Sequence, residues 1–133
     1  MTDQPNPRRV LFIEDEPALR ISYERFFRPR YAMSFASSGA EALTRLAEAP
    51  PDVVVLDMRL PDTDGVDLLR RIRGIQPGLP VIITTAYVSV EPQLRVLDLA
   101  HSAYLIKPFD LDELATLLTG LLTPAASHLE ERS

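Results

Sequence analysis

The chain contains no cysteine and no tryptophan, so disulfide staples and thiolate metal sites are excluded. Its five glycines, Gly39, Gly65, Gly74, Gly78 and Gly120, form neither GxGxxG nor GxxxxGK[ST], and the usual nucleotide-cradling loops are missing. No apolar run approaches the roughly 18 residues of a spanning helix, and Met1 to Pro7 is too polar for a signal peptide. Positive charge is in the minority, with 14 basic against 19 acidic residues and a formal charge of −5. That balance argues against a domain that grips nucleic acid or anionic lipid by itself. Lysine is scarcer still: every basic residue but Lys107 is arginine. An ammonium is a compact point charge and not a planar fork, so the place of that one lysine matters.

What is present is a chain of 133 residues, 46% apolar and 25% charged, enough for one domain with a real core. Short apolar runs recur at Arg9 to Ile13, Tyr31 to Ala36, Val53 to Leu56, Val81 to Ile83 and Tyr104 to Ile106. Three are rich in β-branched residues without alternation, as expected for strands buried on both faces. Segments of helical period separate them. Ala40, Leu43 and Leu46 are expected on one face, Val66, Leu69 and Ile72 on the next, and Leu111, Leu114, Leu118 and Leu121 on the last. Ser38 with Glu41 and Asp110 with Glu113 have capping-box spacing, and Pro17 suits a first helical turn. Pro50-Pro51 and Gln76-Pro77-Gly78 punctuate helix ends. Five strand–helix units predict an α/β fold, a doubly wound (βα)5 sandwich around a five-stranded parallel sheet. The domain is expected over residues 8–122, after a disordered extension at 1–7 and before a tail or shortened linker at 123–133.

In such a sheet the ligand edge lies beyond the carboxyl ends of the strands. There the first run ends in Glu14-Asp15-Glu16, the third in Asp57, the fourth in Thr84-Thr85 and the fifth in Lys107-Pro108. Taken singly, each has an ordinary reading: a helix N-cap for Glu14 or Asp15, a loop acid for Asp57, strand-end threonines, a solvated lysine. Their coincidence on one edge points to a site. Two carboxylates about 5 Å apart repel by roughly 3 kcal/mol at an effective dielectric of about 20, so clustered acids hold a proton or recruit a cation. Hard oxygen ligands without His or Cys suit Mg²⁺. A divalent ion beside Asp57, faced by an ammonium and a hydroxyl, is a phosphoryl-handling set, and Asp is a competent nucleophile toward phosphorus.

The segments RVLFIEDEP (Arg9 to Pro17), VVVLDMRLPDTDG (Val53 to Gly65), PVIITTAY (Pro80 to Tyr87) and AYLIKPF (Ala103 to Phe109) resemble the receiver domain of two-component response regulators, the CheY-like superfamily. The resemblance extends over about residues 8 to 122. It implies a flavodoxin-like strand order 2-1-3-4-5 and a cytoplasmic signalling protein that is not an enzyme beyond its own phosphoryl transfer and slow autodephosphorylation. It implies that Asp57 accepts a phosphoryl group from a histidine kinase or phosphotransfer protein. Mg²⁺ would be held by Glu14, Asp15, Asp57 and the backbone carbonyl of Arg59. Thr85 would bond a phosphoryl oxygen, Lys107 would pair with it, and Tyr104 would turn inward as Thr85 moves. The Lys107-Pro108 bond would be cis. The face made by the fourth helix, fifth strand and fifth helix would then bind a downstream effector protein or domain; a homodimer formed on phosphorylation is left open. No effector domain follows in this sequence, so the output is expected to act through another protein or through a domain trimmed away.

Several residues depart from the family pattern. Glu14 stands where Asp is commoner, and its longer arm is expected to contact the metal through a water or to shift its position. Arg59 and Tyr87 are bulky at the two variable positions flanking the phosphorylation site, which predicts a hindered attacking water and a longer phosphorylated lifetime. Ala100-His101-Ser102 lacks the Gly that often ends the fourth helix. There His101 reads as a cap residue; His128, in the tail, has no expected role. Two alternatives compete with the receiver. A haloacid-dehalogenase-type phosphatase also uses a strand-end Asp and Mg²⁺, but wants a second acid two residues on, where this chain has Arg59. A receiver-like adaptor without phosphorylation is the other, and the workable chemistry at every key position speaks against it.

Overall fold

A computed structural model describes residues 7–86 and 102–122. The first six residues, the segment 87–101 and the tail from 123 lie outside it, and with them Tyr87, His101, His128 and the expected fourth helix. The elements run β1 (Arg9–Ile13), α1 (Pro17–Phe27), β2 (Ala32–Ala36), α2 (Gly39–Glu48), β3 (Val53–Asp57), α3 (Gly65–Ile75), β4 (Val81–Thr85), β5 (Ser102–Ile106) and α4 (Leu111–Leu122). The last of these helices is the fifth that the sequence predicts. All five strands pair in parallel in the order β2-β1-β3-β4-β5.

The three β-branched runs are the central strands. Every residue of β3 and β4 is buried, as is β1 after Arg9. Side chains of a strand alternate between faces, and the core divides accordingly. Leu11, Ile13, Val54, Leu56, Val81 and Ile83 pack with Leu46 of α2 and Leu69 and Ile72 of α3. On the other face Val10, Phe12, Val55 and Ile82 meet Tyr23 and Phe27 of α1 and Leu114 and Leu118 of α4. Phe12 is stacked between aromatic neighbours there, with ring centroids 4.6 Å from Tyr23 and 5.4 Å from Phe35. Such burial at about 25 cal/mol per Å² of apolar surface is the main force holding the layers together.

Helix starts follow the local chemistry. Pro17 occupies the first turn of α1. Ser38 caps α2 by accepting from Glu41 N at 3.1 Å, while the Glu41 carboxylate accepts from Ser37 N at 2.8 Å, one residue earlier than a capping box requires. Glu113 accepts from Asp110 N at 2.9 Å at the start of α4. A further cap, Asp64 accepting from Asp67 N at 2.9 Å, opens α3. The buried face of α2 differs from the expected one by a rotation. Ala40 is exposed, and Gly39, Ala42 and Leu46 are buried with Leu43 packed beside them. The first turn of α2 rests on Thr63 through Gly39, where a Cβ would fall 2.5 Å from Thr63 Cγ2, and this turns Ala40 outward.

Candidate functional site

The strand ends open into a cleft of about 470 Å³ lined by Glu14, Asp15, Asp57, Arg59, Thr85 and Lys107, among others. Of the metal, phosphoryl and switch residues that the resemblance implies, all but Tyr104 line it, and Thr84, also at the strand end, does not. Strand alternation explains the convergence. Glu14 continues the Val10–Phe12 face of β1, Asp57 the Val53–Val55 face of β3, and Lys107 the Leu105 face of β5. Ligand oxygens of Glu14, Asp15 and Asp57 lie within 4.8 Å of one another. Glu14 and Asp57 are buried, Asp15 is exposed. Lys107 Nζ stands 3.4 Å from Glu14 Oε1 and 3.5 Å from Asp57 Oδ1.

Backbone bonds fix these side chains. Lys107 N donates to Thr85 O at 2.7 Å, so the ammonium is carried by the β4–β5 ladder. The Lys107-Pro108 bond is cis, as the resemblance implied. Met58 N donates to Thr84 O and Gly65 N to Met58 O, closing the loop after β3. Inside it Arg59 N donates to Asp57 Oδ1 at 3.3 Å, and Arg59 pairs with Asp64 in an antiparallel bridge. Gly65 is required: a Cβ there would overlap Met58 Sδ and lie 2.6 Å from Met58 Cα. Glu14 Oε2 accepts from Glu16 N at 3.2 Å, which orients its longer arm back over the start of α1.

Electrostatics sets the character of the cleft. Burial, then the negative charge of Asp57, pushes the Glu14 carboxyl from 4.5 up to about 7, although Lys107 and the Glu16 amide pull it down. One lysine does not neutralise the acids. Among the described residues the cluster offers carboxylate oxygens with no His or Cys beside them, a set that fits a hard divalent cation. Thr85 is buried at the cleft wall. Tyr104, beside Ile83 in the sheet, is half-buried against the α2/α3 side of the core.

Two polar residues near the cleft were not anticipated. Tyr23 is fully buried under it, its hydroxyl without a hydrogen-bond partner among the described residues. Burial and the charges of Glu14, Asp57 and Glu16 push its phenol far above the ordinary range. Nothing in a helical stretch marks one tyrosine as lying beneath a strand edge. Asp62, at the tip of the loop after β3, accepts from Gly39 N and Ala40 N of α2. Its partners are about 22 residues away in sequence, beyond the reach of cap-spacing rules.

A parallel sheet of this order, with carboxylates and a lysine gathered at its carboxyl edge, defines a doubly wound α/β protein of the flavodoxin-like class. The model of the response regulator receiver domain matches residues 10–119. The transcriptional regulatory protein TrcR of Mycobacterium tuberculosis is 39% identical over 131 residues, covering 94% of this chain and 49% of that protein. Response regulator MprA of Mycobacterium sp. (strain KMS) is 38% identical over 117 residues, covering 87% and 51%. The chain thus spans about half the length of these relatives. Among solved structures, response regulator TrrA from Thermotoga maritima, in complex with Mg²⁺-BeF, superposes with a TM-score of 0.76 at 30% identity over 86% of this chain and 99% of that one. A CheY-like receiver domain protein from Methanospirillum hungatei gives 0.78 at 25% identity, over 96% and 100%. The chain belongs to the response regulator receiver domain family, and its role is that of the receiver domain of a two-component response regulator.

Proposed function

We propose that Asp57 is the phosphoacceptor of this receiver and that residues 8–122 form the switching unit. The observation that carries this reading is the placement of Lys107 Nζ 3.5 Å from Asp57 Oδ1 inside the Glu14–Asp15–Asp57 cluster. An Asp57 oxygen attacks the phosphorus of a phosphohistidine in line. The P–N bond breaks, and the imidazole nitrogen leaves with the electron pair and takes up a proton. Asp57 gains an acyl phosphate. Glu14, Asp15, Asp57 and the Arg59 carbonyl would hold Mg²⁺, which supplies neutralisation of the phosphoryl charge. Lys107 offsets the remaining oxygen charge, and the Thr85 hydroxyl donates to a phosphoryl oxygen. Slow hydrolysis of the acyl phosphate resets the switch.

The output follows from two linked positions. As Thr85 is drawn to the new oxygens, Tyr104 packs inward, and the face bearing β5 and α4 changes its partner preference. The expected donors are a histidine kinase or a phosphotransfer protein, and the expected recipient is an effector protein or domain. Among the described residues no helix is long and apolar enough to cross a membrane, and a cytoplasmic site of action is the reading that suits a histidine-kinase partner.

Incubation with acetyl phosphate and Mg²⁺ tests this directly. A phosphoryl mass gain that maps to Asp57 and vanishes in Asp57→Asn is the expected result. Sustained phosphate release from generic esters would instead indicate a phosphatase. Neither mass gain nor release would indicate an adaptor.

A further inference from the structure

Asp62 lies outside the carboxylate set, yet both its oxygens are engaged. Gly39 N donates to Oδ1 at 2.7 Å and Ala40 N to Oδ2 at 3.0 Å. These are the first two amides of α2, and the third, Glu41 N, is taken by Ser38 Oγ at 3.1 Å. Early helical amides lack partners within their own helix; here a residue from a different loop supplies them. The two amide donors, helped by the positive charge of Arg71, hold the Asp62 carboxyl below its usual range, so it is ionised at neutral pH. Thr63 packs on Gly39 so closely that a Cβ would meet its Cγ2 at 2.5 Å.

The same loop is pinned at its neck by Gly65 N to Met58 O at 2.9 Å, by the Arg59–Asp64 bridge, and by Arg59 N to Asp57 Oδ1. Arg59, which lines the cleft, therefore sits between two anchorages: its own strand end and, through Asp62, the start of α2. With Asp62 detached, the tip of the loop loses its two hydrogen bonds to α2 and keeps the packing of Thr63 on Gly39, the packing of Leu60 on the core, and the bonds at the neck. We propose that Asp62 is a positioning residue that clamps the loop after β3 onto α2, holds the Arg59 backbone against the cleft, and so sets its affinity for a divalent cation. This rests on the reading of the cleft as a Mg²⁺ site.

Titration calorimetry with MgCl₂ on the wild type, Asp62→Ala, Asp62→Asn and Ser38→Ala tests it, with circular dichroism to establish that each variant is folded. Partners that orient metal ligands commonly change affinity by about 10- to 100-fold, and the low end is expected for Asp62→Ala because it acts through a backbone carbonyl. Asp62→Asn keeps one acceptor oxygen and should fall between Asp62→Ala and the wild type. Ser38→Ala removes a cap from the same helix without touching the loop, and should stay within about twofold of the wild type on that scale. If Asp62 served α2 alone, Asp62→Ala and Ser38→Ala would behave alike. That outcome, or unchanged Mg²⁺ binding in Asp62→Ala, overturns the proposal while the cation site stands. Absence of Mg²⁺ binding by the wild type overturns both.

Discussion

The Lys107 ammonium lies 3.4 Å from the Glu14 carboxylate although 93 residues separate them in the chain. Each comes from its own strand, β5 and β1, and two strands, β3 and β4, lie between. The pair is thus a product of the sheet order. The Glu14 side chain is almost fully buried, whereas the Lys107 side chain is 24% exposed. Burial, and after it the charge of Asp57, raises Glu14 to about 7, and the partly exposed ammonium offsets only part of that rise.

Folding stability should therefore fall with pH in divalent-free buffer. A carboxyl that titrates at 4.5 when unfolded and at about 7 when folded favours the fold while protonated. Its contribution is full below about 4.5 and is lost as pH rises through 7, by on the order of 2–3 kcal/mol. Glu14→Gln is neutral throughout and should flatten that decline. Saturating Mg²⁺ should flatten it in the wild type, because a bound cation favours the ionised form. Urea titrations from pH 5 to 8, with and without Mg²⁺, measure all three curves.

Lys107→Met removes the counter-charge from two buried acids at once. Since Lys107 pulls Glu14 down, the Glu14 carboxyl should titrate above about 7 in the variant, visible by carbon NMR of its carboxyl. Loss of a preorganised positive group facing the reacting oxygens should slow acetyl phosphate labelling by about 100-fold. A labelling rate equal to that of the wild type would remove Lys107 from the phosphoryl-handling set.

Gly65→Ala should destabilise the protein. The added Cβ would lie 2.6 Å from Met58 Cα, and backbone cannot yield as a side-chain tip can. Overpacking of this kind costs about 2–3 kcal/mol, readable as a lower thermal midpoint. Gly74 offers a control, since a Cβ there meets nothing within 4 Å. Gly74→Ala in α3 should be stabilising by about 0.5–1 kcal/mol.

Tyr23→Phe should raise stability. The variant keeps the stacking on Phe12 and removes a buried hydroxyl that has no partner among the described residues. Leaving such a group unpaired costs about 1–3 kcal/mol, and a gain of about 1 kcal/mol in denaturant unfolding is expected. A loss would mean that the hydroxyl is held by a partner in solution.

The strands and the ligand edge could be read from the residues because both depend on short-range patterns. Unbroken apolar runs such as Val53 to Leu56 mark central parallel strands, and the polar residue that ends each run falls on the carboxyl edge. Glu14, Asp57, Thr85 and Lys107 were reachable in that way. What escaped depends on contacts between distant segments. Ala40 has the spacing of a buried position, but the seat of Gly39 on Thr63 rotates α2 and exposes it. Glu41 has capping-box spacing with Ser38, yet its carboxylate settles on Ser37. The Asp62 contact joins the loop after β3 to the first turn of α2, and no local rule relates an aspartate to amides so far upstream. The raised pKa of Glu14 is likewise a consequence of burial first, which composition does not reveal.

One compositional oddity has a practical use. Because Lys107 is the chain's only lysine, an amine-directed acylating reagent can modify a single side chain, which lies in the cleft. Apart from the α-amino terminus, its labelling kinetics would report on one nitrogen, and any occupant of the cleft that contacts Nζ should register as protection. This chain thus carries its own reporter of site occupancy, readable by mass spectrometry without an engineered tag.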